Sequence, residues 1–273
     1  MQYSTFAAID IGSYDVILEI FEISKKQGIR SVDKICHRME LGKDTYTLGK
    51  IRPEMEEELC RVLADFVRIM EGYRVDDYRA TASSAISEAS NSLYVLGKIH
   101  QLTGLSVTVL SNSEQRFLSY KALAAMEDNF NKIIEKGTAI LDLDGGSFQI
   151  SLFDKDALVT TQNIRMGSLR IRERLAGIQS ETEHYEEMVE ELIWNEVSSF
   201  KKMYLKDRKI ENIMLIGDVF TDSVYQNIEE KTTKIISCEN FNTWYEKIIR
   251  QSPMELAVKL GIPLENASLM YPS

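Results

Sequence analysis

Cysteine is scarce in this chain. The three present among 273 residues, Cys36, Cys60 and Cys238, are too few and too scattered for a disulfide framework or a cysteine zinc site. Each reads as a small buried hydrophobe. Positive charge is also short: 32 lysines and arginines against 42 aspartates and glutamates leave a net charge of −10. Such a chain has no general attraction for nucleic acid or an anionic membrane. No apolar run approaches the roughly 20 residues that span a bilayer. The opening Met1–Thr5 has neither a basic nor an apolar signal region, so a cytoplasmic location is expected. The histidines, His37, His100 and His184, sit in separate segments with no partner spacing, which excludes a histidine-based site. Low-complexity stretches are missing, and 44% apolar with 27% charged residues excludes disordered and fibrous classes.

What is there fits about two domains at roughly 150 residues each. Phe6–Asp10 is a short apolar run ending in an acid, Ile11-Gly12-Ser13 is a turn, and Val16, Leu18, Ile20 and Ile23 continue in extended alternation. A hairpin is expected, with a third strand near Arg30–Met39 and a polar loop over Gly42–Gly49. Pro53 and the acids Glu54, Glu56, Glu57 and Glu58 open a helix. Its stripe runs Met55, Leu59, Val62, Leu63, Phe66, Val67 and Met70, and Gly72 ends it. A strand at Asp77–Ala82, a helix near Ser84–Leu102, a strand at Ser106–Leu110 and a helix at Glu114–Met126 follow. Glu127–Gly137 is polar and reads as a connection.

The opening pattern then returns. Thr138–Asp142 is again an apolar strand ending in aspartate, Leu143–Ser147 is a glycine turn, and Phe148–Phe153 is a strand. The two acids, Asp10 and Asp142, stand 132 residues apart, which suggests duplication into two similar lobes. Downstream, Glu181–Lys202 reads as a long amphipathic helix, Asn212–Gly217 as a strand, and Phe241–Arg250 and Pro253–Leu260 as helices. A strand ending in Asp and turning on Gly-Ser suits phosphate and metal: the acid holds Mg²⁺, and turn N–H groups with the serine hydroxyl face phosphate oxygens. One copy is an ordinary turn. Two copies in a duplicated pattern point to two phosphate loops facing across a cleft between actin-like (ribonuclease H-like) lobes.

On these residues the chain resembles the exopolyphosphatase / guanosine pentaphosphate phosphohydrolase (Ppx/GppA) family. Phe6–Ser13 is similar to its first loop, A-[IV]-D-[IL]-G-S-N-S, and Ala82–Asn91 to A-T-S-A-L-R-E-A-x-N. The stretch Thr103–Gln115 resembles the segment ending I-S-G-x-E-E-A. Asp142–Gln149 resembles D-I-G-G-G-S-T-E, and Met166–Arg170 resembles L-G-A-x-R. The resemblance implies an α/β fold of two duplicated actin-like lobes (1–125 and 137–273) with an interlobe cleft. The family's second lobe runs past the position of Tyr271, so the chain reads as a short or shortened member. It also implies Mg²⁺ held near Asp10, Asp142 and Asp144, and phosphate held by Gly12, Ser13, Gly145, Gly146, Ser147 and Arg170.

The departures fall on the family's chemistry. The glutamate proposed to activate water aligns with Gln115, beside a retained Glu114; the phosphate-clamping arginine aligns with Ser87; and a further glutamate aligns with Gln149. An amide takes up no proton near neutral pH. Tyr14 and Asp15 add bulk and charge to the first loop. The resemblance therefore implies a hydrolase acting on terminal phosphoanhydrides of polyphosphate or pppGpp, with catalysis weakened or lost. Its rival is a non-catalytic module sensing a nucleotide or polyphosphate. The expected partner is that anion, with a homodimer admitted and neither nucleic acid nor membrane.

Overall fold

The computed structural model describes residues 3–26, 28–126, 129–179, 185–206, 208–217, 237–248, 250–261 and 264–267. They form two compact units, 1–118 and 119–273.

The first unit carries a five-stranded sheet of order β3-β2-β1-β4-β5, with β1 Ser4–Ile11, β2 Asp15–Ser24, β3 Gly28–Arg38, β4 Asp77–Ala82 and β5 Val107–Val109. β1, β2 and β3 are an antiparallel meander, whereas β4 runs parallel to β1 and β5 parallel to β4. Alternation along β1 buries Ala7, Ile9 and Ile11, and Val16, Leu18 and Ile20 of β2 join them. Helix α2 (Pro53–Tyr73) covers this face with Leu59, Leu63, Phe66 and Met70, and α4 (Ser92–Thr103) adds Val95 and Ile99. The period-2 rule therefore sends Asp10 to the opposite face.

Three local readings are corrected here. Gly42–Gly49 is not a loop: α1 spans Leu41–Leu48 and ends on Gly49 at φ 70°. Its polar residues are anchored from inside. Buried Asp44 accepts from the Arg52 N–H and Nε, each at 2.9 Å, and Thr45 Oγ1 donates to Ala85 O at 2.7 Å. The helix expected over Ser84–Leu102 is two, α3 (Ser84–Ser87) and α4, interrupted where Asn91 pairs its amide with the Ile51 backbone. α2 continues through Gly72, and Arg74 takes the left-handed cap at φ 53°.

The second unit repeats the plan with a four-stranded sheet of order β8-β7-β6-β9. Its strands are β6 Thr138–Leu143, β7 Phe148–Asp154, β8 Ala157–Ile164 and β9 Asn212–Gly217. β6, β7 and β8 form the antiparallel meander, and β9 runs parallel to β6. Central acid-ended strand, hairpin, third strand and parallel neighbour recur in one order, so the duplicated actin-like lobe is what both sheets show. α5 (Asn112–Met126) and α6 (Phe130–Ile134) cover one face, where Phe130, Ile134, Ile140 and Phe153 pack with Tyr120 and Leu123. The expected polar connection thus contains a helix belonging to this core. α8 (Tyr185–Tyr204) covers the other face through Phe200 against Ile150, Leu152 and Ile164.

α7 (Ser168–Gln179) follows β8, and helices Cys238–Ile248, Pro253–Leu260 and Leu264–Ala267 complete the described chain. Cys60 is buried as expected, but Cys36 and Cys238 are exposed. No described helix is long and apolar enough to cross a membrane.

Candidate phosphate loops and active-site residues

Each acid-ended strand delivers its carboxylate to the start of a tight turn. In the first unit the turn closes by Gly12 N–H donating to Asp15 O at 2.9 Å. A Cβ at Gly12 would press on that same carbonyl, so glycine keeps the hairpin tight. Asp10 lies beside Thr81 in the parallel ladder and accepts from Thr81 Oγ1 at 3.2 Å. Its carboxylate meets solvent yet stands amid densely packed protein. That desolvation raises its pKa, and the Thr81 bond opposes the rise. Ser13 has no exposed surface, and its hydroxyl is held by Tyr46 Oη at 2.6 Å. Its side chain supports the loop from within. The ring of Tyr14 is buried too, with the Arg38 guanidinium 3.8 Å above it, so its bulk goes into the unit. Ser87 is exposed at the end of α3.

The second loop is more constrained. Asp144 N–H donates to Ser147 O at 3.0 Å, closing the turn. Asp144 Oδ1 accepts from Gly145 N–H at 2.7 Å, so a carboxylate of the chain itself already takes one loop donor. Arg170 donates its backbone N–H to Gly145 O at 3.0 Å and its Nε to Gly146 O at 2.7 Å. In this structure the arginine braces the loop. Arg172 is likewise bound to Glu173, at 2.8 Å. Gly167 packs against the loop so closely that a Cβ would overlap Asp144 O, Gly145 C and Ser147 N.

Asp142 is half-buried. Ser119 Oγ of α5 donates to its Oδ2 at 2.9 Å. Burial raises the Asp142 pKa, and the Ser119 bond lowers it by a smaller amount. Gln149 stands directly opposite on β7 and is buried, so the two side chains share one face. The amide places no second negative charge beside Asp142. Asn163 continues the polar row on β8. Ser119 was not legible as a partner, since only its position one turn after Gln115 on α5 hinted at a shared side.

Glu114 is committed elsewhere. Its Oε2 accepts from the Ser111 N–H at 2.9 Å and Ser111 Oγ at 2.7 Å, and Ser111 Oγ faces the Glu114 N–H at 3.3 Å. This is a capping box at the start of α5. These hydrogen bonds hold the Glu114 carboxyl below its ordinary pKa, a poor setting for a base. Gln115 is half-buried, its N–H bonded to Ser111 O as the first helical turn.

Among the described residues no three acids, histidines or cysteines cluster as a metal-binding group. Mg²⁺ keeps several waters and commonly takes only one or two carboxylates plus substrate phosphates. Asp142, with one oxygen engaged by Ser119, fits that role. Asp144, with Oδ1 on Gly145, fits it less well.

The Ppx/GppA phosphatase family model matches residues 19–261. The chain is 22% identical over 238 residues to a bifunctional 3-dehydroquinate synthase/phosphatase of Fusobacterium nucleatum, covering 82% of this chain and 34% of that protein. It is 25% identical over 144 residues to exopolyphosphatase 1 of Mycobacterium leprae, covering 52% of this chain and 41% of that one. The chain thus spans well under half the length of these relatives. In structure it resembles an Aquifex aeolicus Ppx/GppA family member, with TM-score 0.74 and 19% identity over 99% of this chain and 87% of that one. An exopolyphosphatase from Cytophaga hutchinsonii gives TM-score 0.73 and 20% identity over 98% and 87%. With a family match over most of its length and a fold shared from end to end, the chain belongs to the Ppx/GppA phosphatase family.

Proposed function

We propose that this chain binds the terminal phosphoryl groups of polyphosphate or of a guanosine polyphosphate such as pppGpp, and hydrolyses the anhydride slowly. The observation that carries the reading is the contrast along α5 and its sheet. Asp142 and the Asp144–Ser147 turn keep the form of a phosphate loop, whereas the proton-accepting position is Gln115 and the neighbouring Glu114 is tied into a helix cap. Asp142 would hold Mg²⁺, which when bound offsets phosphate charge. Gly146 and Ser147 would present donors to the terminal phosphoryl. Gln115 would orient the attacking water without deprotonating it. General-base help is typically worth about 10²–10⁴-fold, and that is the deficit expected against a member with glutamate here.

The test is phosphate release from long-chain polyphosphate and from pppGpp, with and without Mg²⁺, for wild type and Gln115→Glu. A rise in turnover of roughly 10-fold or more in the variant, with binding little changed, supports the reading. Rapid wild-type turnover that survives Gln115→Ala would refute the assignment of the base position. The commitment of Glu114 also favours a second reading, a sensor that binds without turnover. Tight binding with no release by either protein would select it.

A further inference from the structure

At the carboxyl ends of the neighbouring parallel strands β1 and β4, three hydroxyls from three elements meet. Ser13 Oγ lies 2.6 Å from Tyr46 Oη, Tyr46 Oη lies 2.8 Å from Ser84 Oγ, and Ser84 Oγ lies 3.3 Å from Ser13 Oγ. Backbone bonds hold the corners. Gly42 N–H donates to Ser13 O at 2.9 Å, Met39 N–H to Tyr14 O at 3.0 Å, and Ser83 N–H to Ile11 O at 3.1 Å. Thr45, next to Tyr46, is tied to Ala85, next to Ser84. The triangle is therefore fixed by the fold.

Each hydroxyl has one hydrogen to donate. Closed on itself, the triangle uses all three, and the 3.3 Å side is its weak member. Ser13 is fully buried, whereas Tyr46 and Ser84 are only partly so. An acceptor arriving from solvent therefore meets Ser84 and Tyr46. Giving up the long side leaves a relay in which Ser13 donates to Tyr46, Tyr46 to Ser84, and Ser84 to the newcomer, each bond polarising the next. The ends of parallel strands are also where open α/β sheets place ligands.

We infer that Tyr46 and Ser84 form an oxyanion-binding site of the first unit that takes a phosphoryl oxygen of an oligophosphate, with Ser13 behind them as a positioning residue. The inference rests on the phosphoanhydride reading above. Its donors are neutral, so each contributes modestly, and the relay makes their effects dependent on one another.

The experiment is calorimetric titration of the full chain with magnesium tripolyphosphate, alongside thermal melts. Tyr46→Phe and Ser84→Ala should each weaken binding roughly 3–10-fold, the scale of one neutral hydrogen bond. The double variant should lose little more than either single one, because both break one chain. A merely structural role would instead lower the melting temperature and leave affinity alone. Ser84→Ala, on the solvent side, decides the matter if Tyr46→Phe melts early. Wild-type binding with unchanged affinity in both variants overturns this site and leaves the phosphoanhydride reading standing. No binding by the wild type overturns the reading, and the site with it.

Discussion

Whether a carboxylate serves chemistry or scaffolding depends on the hydrogens that already surround it, and the acids of this chain divide on that ground. Glu114 takes two donors from Ser111 and is held ionised. Asp144 takes the Gly145 N–H that a phosphate oxygen would use. Asp142 has one hydroxyl, from Ser119, against a larger burial cost. For Asp142 the sign of the linkage is clear. Its folded pKa is raised, so the native state holds the proton more tightly than the unfolded chain does. Below about pH 4, the ordinary carboxylate value, the penalty is absent; it grows as pH rises through the folded pKa and stays constant above it. Asp142→Asn should therefore melt above wild type at pH 7 in chelator, and the gap should close as pH falls towards 3. An Asn variant less stable than wild type at pH 7 would show that the carboxylate supports the fold rather than straining it. A divalent cation should narrow the gap from the other side by stabilising only the wild type.

At the scale of elements, the sequence is read most easily where burial imposes a period. β1, β4 and β9 alternate or run apolar between breaks, and α2 keeps its stripe across 21 residues, so their existence follows from composition alone. α1 escapes that reading because it is anchored by Asp44–Arg52 and Thr45–Ala85, partners that no local window reveals. β8 escapes it because its hairpin turns on Lys155 and Asp156, both at positive φ, without the Asn-Gly signature of such turns. The site residues divide the same way. The acid-ended strands and glycine turns are legible as a repeated motif, while Ser119, Tyr46 and the bracing function of Arg170 depend on pairings across the chain. Gly167 marks the second loop in both views. It lies in a motif and also leaves no room for a Cβ against the backbone of Asp144–Ser147. Gly167→Ala should cost roughly 1–3 kcal/mol, the range of overpacked sites, in urea unfolding. It should also weaken magnesium tripolyphosphate binding, because the loop itself must shift. An alanine variant with wild-type stability and affinity would mean that the loop has slack.

For the whole molecule, the net charge of −10 sets the terms on which an anion is bound. Proteins that capture polyanions by charge present unpaired basic residues, and their affinity falls steeply with salt. Here Arg172 is paired with Glu173 and Arg170 bonds the loop carbonyls. Recognition then depends on short-range donors and on a divalent cation, against a long-range field of the wrong sign. Screening should relieve that field. With Mg²⁺ held constant, raising monovalent salt from about 10 mM to 150 mM shortens the Debye length from about 30 Å to 8 Å. The association rate of tripolyphosphate should then stay level or rise across this range. Stopped-flow mixing at several salt concentrations measures it directly. A rate that falls tenfold would require an unpaired basic surface that steers the anion, and would replace the hydrogen-bonded loops as the source of affinity.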